Sequence, residues 1–88
     1  MYSYLIEFFG TLFFVFMFLS NGNPIVIGAS YALLLILLKD NATGYYNPAI
    51  TVAMAYQKKI SKDNVIPFLV SQFFGAFIAF ELYKHSGI

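Results

Sequence analysis

From Tyr4 to Leu19 the only strongly polar side chain is Glu7. As a helix, these sixteen residues at about 1.5 Å each cover about 24 Å, slightly short of a bilayer hydrocarbon core of about 30 Å. Turns at Tyr2 and Ser20 complete the span. The rest of the chain is of the same kind: 60% hydrophobic, 20% aromatic and only 10% charged, too apolar for a soluble globule of 88 residues. The expected surroundings are membrane lipid, with the Phe and Tyr side chains serving as lipid-facing bulk and interfacial belts.

Several function classes fall away on composition. Net charge is +1 and the five cations, all lysine, build no dense basic face, so nucleic acid is not an expected partner. No cysteine is present, which removes disulfides, thiolate chemistry and cysteine metal sites. His85 is the one histidine, and a metal site needs three or four converging donors. Glu7, Asp40, Asp63, Glu81 and His85 supply no nucleophile and base pair. No catalytic residue, metal or cofactor is expected. The first apolar run is not a secretory signal on this reading, because Met1 to Tyr4 carries no Lys or Arg and no small-residue cleavage pattern follows Leu19.

Residues Ser20 to Pro24 form a turn signal, with Pro24 suited to the first position of a second helix that runs to Leu38. Such a short helix must thin the bilayer or extend through Lys39 and Asp40, whose charged ends snorkel. Asn41 to Tyr46 breaks the apolar pattern and reads as a loop. Asn47-Pro48 is a helix start, an Asn that caps free N–H groups followed by a Pro whose missing N–H costs nothing. The helix it opens stays apolar only to Tyr56 before the polar run from Gln57 to Asn64, and nine residues give about 14 Å, half a membrane. A last span is expected from about Val65 to Tyr83, with Pro67 in its first turn.

A half-helix in lipid strands its terminal backbone groups unless protein or a water-filled cavity satisfies them. A pore is the natural context. The N-terminal end of such a helix carries roughly half a positive charge, and Asn47 adds an amide donor beside it. Together they favour water oxygens and repel cations.

Three blocks then occur in order: Glu7-Phe8-Phe9-Gly10-Thr11, Gly44-Tyr45-Tyr46-Asn47-Pro48-Ala49-Ile50-Thr51-Val52-Ala53, and Ser71-Gln72-Phe73-Phe74-Gly75-Ala76, with Gly28 nineteen residues before Asn47. Over nearly the whole chain this pattern resembles the major intrinsic protein family, the aquaporins and aquaglyceroporins. The resemblance implies an all-α membrane fold, half of an aquaporin: three transmembrane helices plus one re-entrant half-helix, with residues 1–88 as a single half-repeat. It implies that Asn47 is the pore-lining donor and that Pro48 and Ala49 interlock two half-helices at the pore centre. Glu7 would support the pore loop by accepting its N–H groups, with Thr11 four residues on in the same support. Gly10, Gly28, Gly75 and Ala76 would be helix-packing points, which small residues provide in lipid whether or not a channel exists.

The chain also departs from the family pattern. Tyr45 stands where the family usually has His, and Ile27 takes a second-helix position that shapes the filter, often aromatic. There is no arginine, and Ile50 follows the single Asn-Pro-Ala motif. Ile27, Ile50 and Tyr45 are therefore candidate constriction residues.

The function expected from this resemblance is a half-unit of a passive channel for water or small neutral solutes such as glycerol. One chain cannot enclose that pore, so it would pair in inverted orientation with a second copy or with a separately encoded second half. The alternative is a non-conducting membrane protein, a truncated remnant or a modulatory subunit. With the pore loop cytoplasmic, Lys39, Lys58, Lys59 and Lys62 lie inside and Lys84 outside, a bias toward one orientation that an inverted homodimer must overcome. Homomeric pairing is nonetheless favoured because the chain reads as complete at both ends. The expected location is the cell membrane.

Overall fold

The computed structural model describes residues 2–38 and 45–88. Four helices follow one another: α1 (Tyr2–Ser20), α2 (Pro24–Leu38), α3 (Pro48–Tyr56) and α4 (Lys62–Ser86). Both α1 and α4 are long and apolar enough to cross a membrane, whereas α2 has 15 residues. The expectations that Lys39 and Asp40 extend α2 and that 41–44 form a loop lie outside the described residues.

Local chemistry explains the boundaries. Asn23 Oδ1 accepts the Ile25 N–H at 2.8 Å with Pro24 at the first helical position, so the three-residue connection Asn21 to Asn23 both ends α1 and caps α2. The last helix corrects the sequence-based boundaries: it starts at Lys62 rather than Val65 and ends at Ser86 rather than Tyr83. Hydropathy marks where lipid ends, but backbone pairing continues into the polar interface. There Asp63 occupies the first turn, and Glu81 pairs with Lys84 at 3.3 Å near the far end. Gly87, with φ 80°, supplies the left-handed residue that stops the helix. Pro67 consequently sits in the second turn, where its ring nitrogen leaves the Asp63 carbonyl without the usual i→i+4 donor. Asp63 is exposed, so the surroundings can supply one.

Helices α1 and α4 lie side by side and parallel. Their register is written in cross-helix pairs: the Tyr4 hydroxyl donates to Asn64 Oδ1 at 2.7 Å, Glu7 meets Gln72, and the Phe16 and Tyr83 rings are 6.5 Å apart. Gly75 allows this approach. A Cβ there would lie 2.5 Å from the Phe8 carbonyl oxygen and 3.1 Å from Thr11 Cβ. α2 folds back antiparallel to α1, bringing Tyr31 to 5.3 Å from Phe14 between ring centroids, and α3 packs on α4.

The distribution of polarity is inverted relative to a protein in water. Ile25 and Ile36 are each 78% exposed, and Phe9, Phe18, Phe73, Phe74 and Phe77 also face outward. The buried set includes Glu7, Thr11, Ser30, Thr51 and Gln72. Hydrocarbon surroundings produce this arrangement, because apolar side chains lose nothing by facing lipid while polar groups must find partners inside. The chain is an integral membrane protein.

Candidate functional site

Glu7 is the centre of the buried polar set, with no exposed surface at all. Its carboxyl oxygens accept from three N–H donors: the Tyr45 backbone at 3.0 Å, the Tyr46 backbone at 2.8 Å and Gln72 Nε2 at 2.9 Å. Each N–H bond to a carboxylate contributes about 1.5–3 kcal/mol, and together they hold the segment entering α3 against α1.

Directly after these two donors the backbone turns: Tyr46 adopts φ 56°, a left-handed conformation that costs a residue with a Cβ about 1–2 kcal/mol. Its ring lies directly over Gly10, where a Cβ would overlap it. The same ring meets Tyr31 edge-on, with centroids 6.2 Å apart. Tyr31 in turn donates its hydroxyl to the Tyr45 carbonyl at 3.0 Å.

Beyond Tyr46 the chain returns to extended backbone at Asn47, φ −153° and ψ 122°. Asn47 Oδ1 accepts the Ala49 N–H at 2.8 Å, capping α3 with Pro48 at its start. The Asn47 carbonyl accepts the Thr51 N–H at 2.9 Å and the Thr51 hydroxyl at 3.1 Å. Thr51 Oγ1 accepts from Gln72 Nε2 at 2.7 Å. Because Oδ1 is turned to a backbone donor, the Asn47 amide NH2 points away from the cap, and among the described residues it has no acceptor. Asn47 is half-buried, while Ala49 and Ile50 are exposed.

All three other helices therefore address the start of α3: α1 through Glu7, α2 through Tyr31, α4 through Gln72. What they fix is a half-exposed amide at the positive end of a nine-residue helix. Such an arrangement can donate hydrogen bonds to a neutral oxygen and disfavours a cation.

The Major intrinsic protein family matches residues 1–86. The chain belongs to this family. A relative named Glycerol uptake facilitator protein-like 6, from Lactiplantibacillus plantarum, is 30% identical over 88 residues, covering 90% of this chain and 41% of its own length. This major intrinsic protein thus spans less than half the length of that relative. No solved structure matches it.

Within this family member the residues singled out from sequence have different surroundings. Glu7 and Asn47 are linked through the loop backbone, as just described. Thr11 is buried, and among the described residues its hydroxyl has no partner; its side chain packs against Gly75 instead of sharing the carboxyl of Glu7. Tyr45 directs its ring at Phe68, 6.2 Å between centroids. Ile27 lies half-buried in α2, and Ile50 is exposed on α3. Those two helices make no mutual contact among the described residues, so one chain does not bring Ile27 and Ile50 together. Gly10 and Gly75 are close-approach points, Ala76 is half-buried, and Gly28 has nothing within 4 Å of an added Cβ.

Sequence reasoning missed Gln72, Thr51, Tyr31 and Tyr46 as loop supports. Gln72 was detectable as a lone amide inside an apolar span, where a polar side chain is costly unless it finds a partner. Tyr31, Tyr46 and Thr51 carried no such signal, because Tyr and Thr are ordinary in membrane helices.

Proposed function

We propose that the chain is a half-unit of a passive transmembrane channel for water or small neutral solutes such as glycerol. Its pore is completed by inverted pairing with a second copy or with a separately encoded second half. α1, α2 and α4 are the full spans in this reading, and α3 is a re-entrant half-helix whose N-terminal end lies near the midplane of the cell membrane. The carrying observation is the Asn47 amide, whose oxygen is used by the cap while its NH2 is left to the surroundings at a helix end. Asn47 donates to the passing solute, and Pro48 and Ala49 meet their counterparts of the second half. Family membership and the name of the glycerol-facilitator-like relative support the class of solute.

Ile27 and Ile50 are then neighbours only across the paired halves, forming an uncharged apolar constriction that admits glycerol as well as water. The test is an osmotic step on proteoliposomes containing this chain alone. Shrinkage faster than empty vesicles, measurable glycerol entry, and a sharp fall in flux per inserted protein for Asn47→Leu are the expected results. Flux unchanged in Asn47→Leu leaves Asn47 as a cap worth about 1 kcal/mol. Flux at the empty-vesicle level for the unaltered chain leaves the non-conducting reading.

A further inference from the structure

The connection from α3 to α4 carries a concentration of charge that the pore loop does not use. α3 stops where the Lys58 N–H donates to the Ala55 carbonyl and the Lys59 N–H to the Met54 carbonyl, both at 3.0 Å. This pairing places the residue after the helix cap in left-handed backbone, a position that favours glycine. Lys58 occupies it, at φ 59°. With Lys59, Lys62, Tyr56, Ile60 and Ser61 it lines an open-sided cavity of about 620 Å³. All three lysines are exposed, and among the described residues the lysine ion pair is between Lys84 and Glu81 at the far end of α4. Among the described residues the ammonium groups at the cavity have no carboxylate partner of that kind.

Lys62 moreover opens α4, where the helix end is itself positive and the Ser61 side chain makes no capping bond. Asp63 in the same turn offsets part of this charge. An anion in the cavity would meet both the lysines and the helix end.

A second feature says what kind of anion. Successive steps of four, four, three and four residues take Lys62 to Ile66, Val70, Phe73 and Phe77, one stripe of α4. Each of those apolar residues is exposed, and Val70, Phe73, Phe74 and Phe77 line an apolar groove of about 460 Å³. Cationic cavity and apolar groove thus lie in line along one helix. Tyr56, 85% exposed at the cavity rim, has the amphipathic ring that sits at headgroup level.

We propose that this face is a binding site for an anionic phospholipid, with the phosphate-bearing headgroup in the Lys58, Lys59 and Lys62 cavity and an acyl chain along the α4 stripe. The site requires only that the protein be embedded in a membrane, and it stands or falls independently of conduction.

The experiment is native mass spectrometry of the detergent-solubilised chain, counting phosphatidylglycerol and phosphatidylcholine of identical acyl chains retained from an equimolar mixture. Phosphatidylglycerol is expected to be retained roughly tenfold or more over phosphatidylcholine. Each of K58Q, K59Q and K62Q should reduce that preference by up to about fivefold. The triple variant should abolish it, the triple arginine variant should keep it, and K84Q should leave it unchanged. Circular dichroism of each variant checks that helicity is intact. Equal retention of the two lipids by the unaltered chain overturns the proposal. So does displacement of the lipid by an equal concentration of inorganic phosphate, which assigns the cavity to free phosphate, or loss of preference in the triple arginine variant, which assigns it to packing.

Discussion

Gln72 Nε2 lies 2.9 Å from Glu7 Oε1, joining residues 65 positions apart across the parallel α1–α4 pair. The same nitrogen donates to Thr51 at 2.7 Å, so a single amide couples the carboxyl that holds the loop to the first turn of α3. Its orientation is decided by chemistry, since the opposite one would set a carbonyl oxygen against a carboxyl.

Replacing Gln72 by Met keeps length and bulk while removing both donations. The expected loss is about 2 kcal/mol, typical of a bond to a charged acceptor, read as reduced resistance of helicity to unfolding in detergent. Thr51→Val should cost less in the Gln72→Met background than alone, with a coupling of about 0.5 kcal/mol or more. Strict additivity of the two replacements would show that Gln72 does not bridge α1 and α3.

The glycines separate into two kinds. Gly10→Ala drives a methyl into the Tyr46 ring, and Gly75→Ala puts one 2.5 Å from the Phe8 carbonyl oxygen. Overpacking of this sort costs about 1–3 kcal/mol. Gly28→Ala meets nothing within 4 Å and should leave the isolated chain as stable or up to about 1 kcal/mol more so, by the helix preference of Ala over Gly. If the outward face of α2 packs against a second half, Gly28→Ala will instead weaken assembly, seen as a shift toward monomer in size-exclusion with light scattering. Equal destabilisation of the monomer by all three replacements would contradict the packing described.

The Tyr46 hydroxyl is buried and has no hydrogen-bond partner among the described residues. A buried polar group left unsatisfied costs about 1–3 kcal/mol, so Tyr46→Phe should leave the isolated chain equally stable or more so. The ring contacts with Gly10 and Tyr31 are retained in that variant. A clear loss of stability in Tyr46→Phe would mean that the hydroxyl has an acceptor in the membrane-embedded protein.

Much of the architecture is determined by sequence alone, because its causes are local. Hydropathy over Tyr4 to Leu19 specifies a span, Asn23-Pro24 and Asn47-Pro48 specify helix starts, and the polar run after Tyr56 limits α3 to nine residues. Glu7 likewise stands out in the sequence as the only strongly polar side chain between Tyr4 and Leu19. Where local hydropathy was asked to place helix ends in the interface, it cut α4 short at both, since backbone pairing there does not depend on apolar side chains. Only the tertiary structure decided how Asn47 is held, because that depends on groups brought together from α1, α2 and α4. Whether Thr11 bonds or merely packs, why Gly10 must lack a side chain, and which way the Asn47 amide turns are set by distances between residues remote in sequence. Polar partners buried in an apolar bundle are chosen by geometry, and no periodicity records that choice.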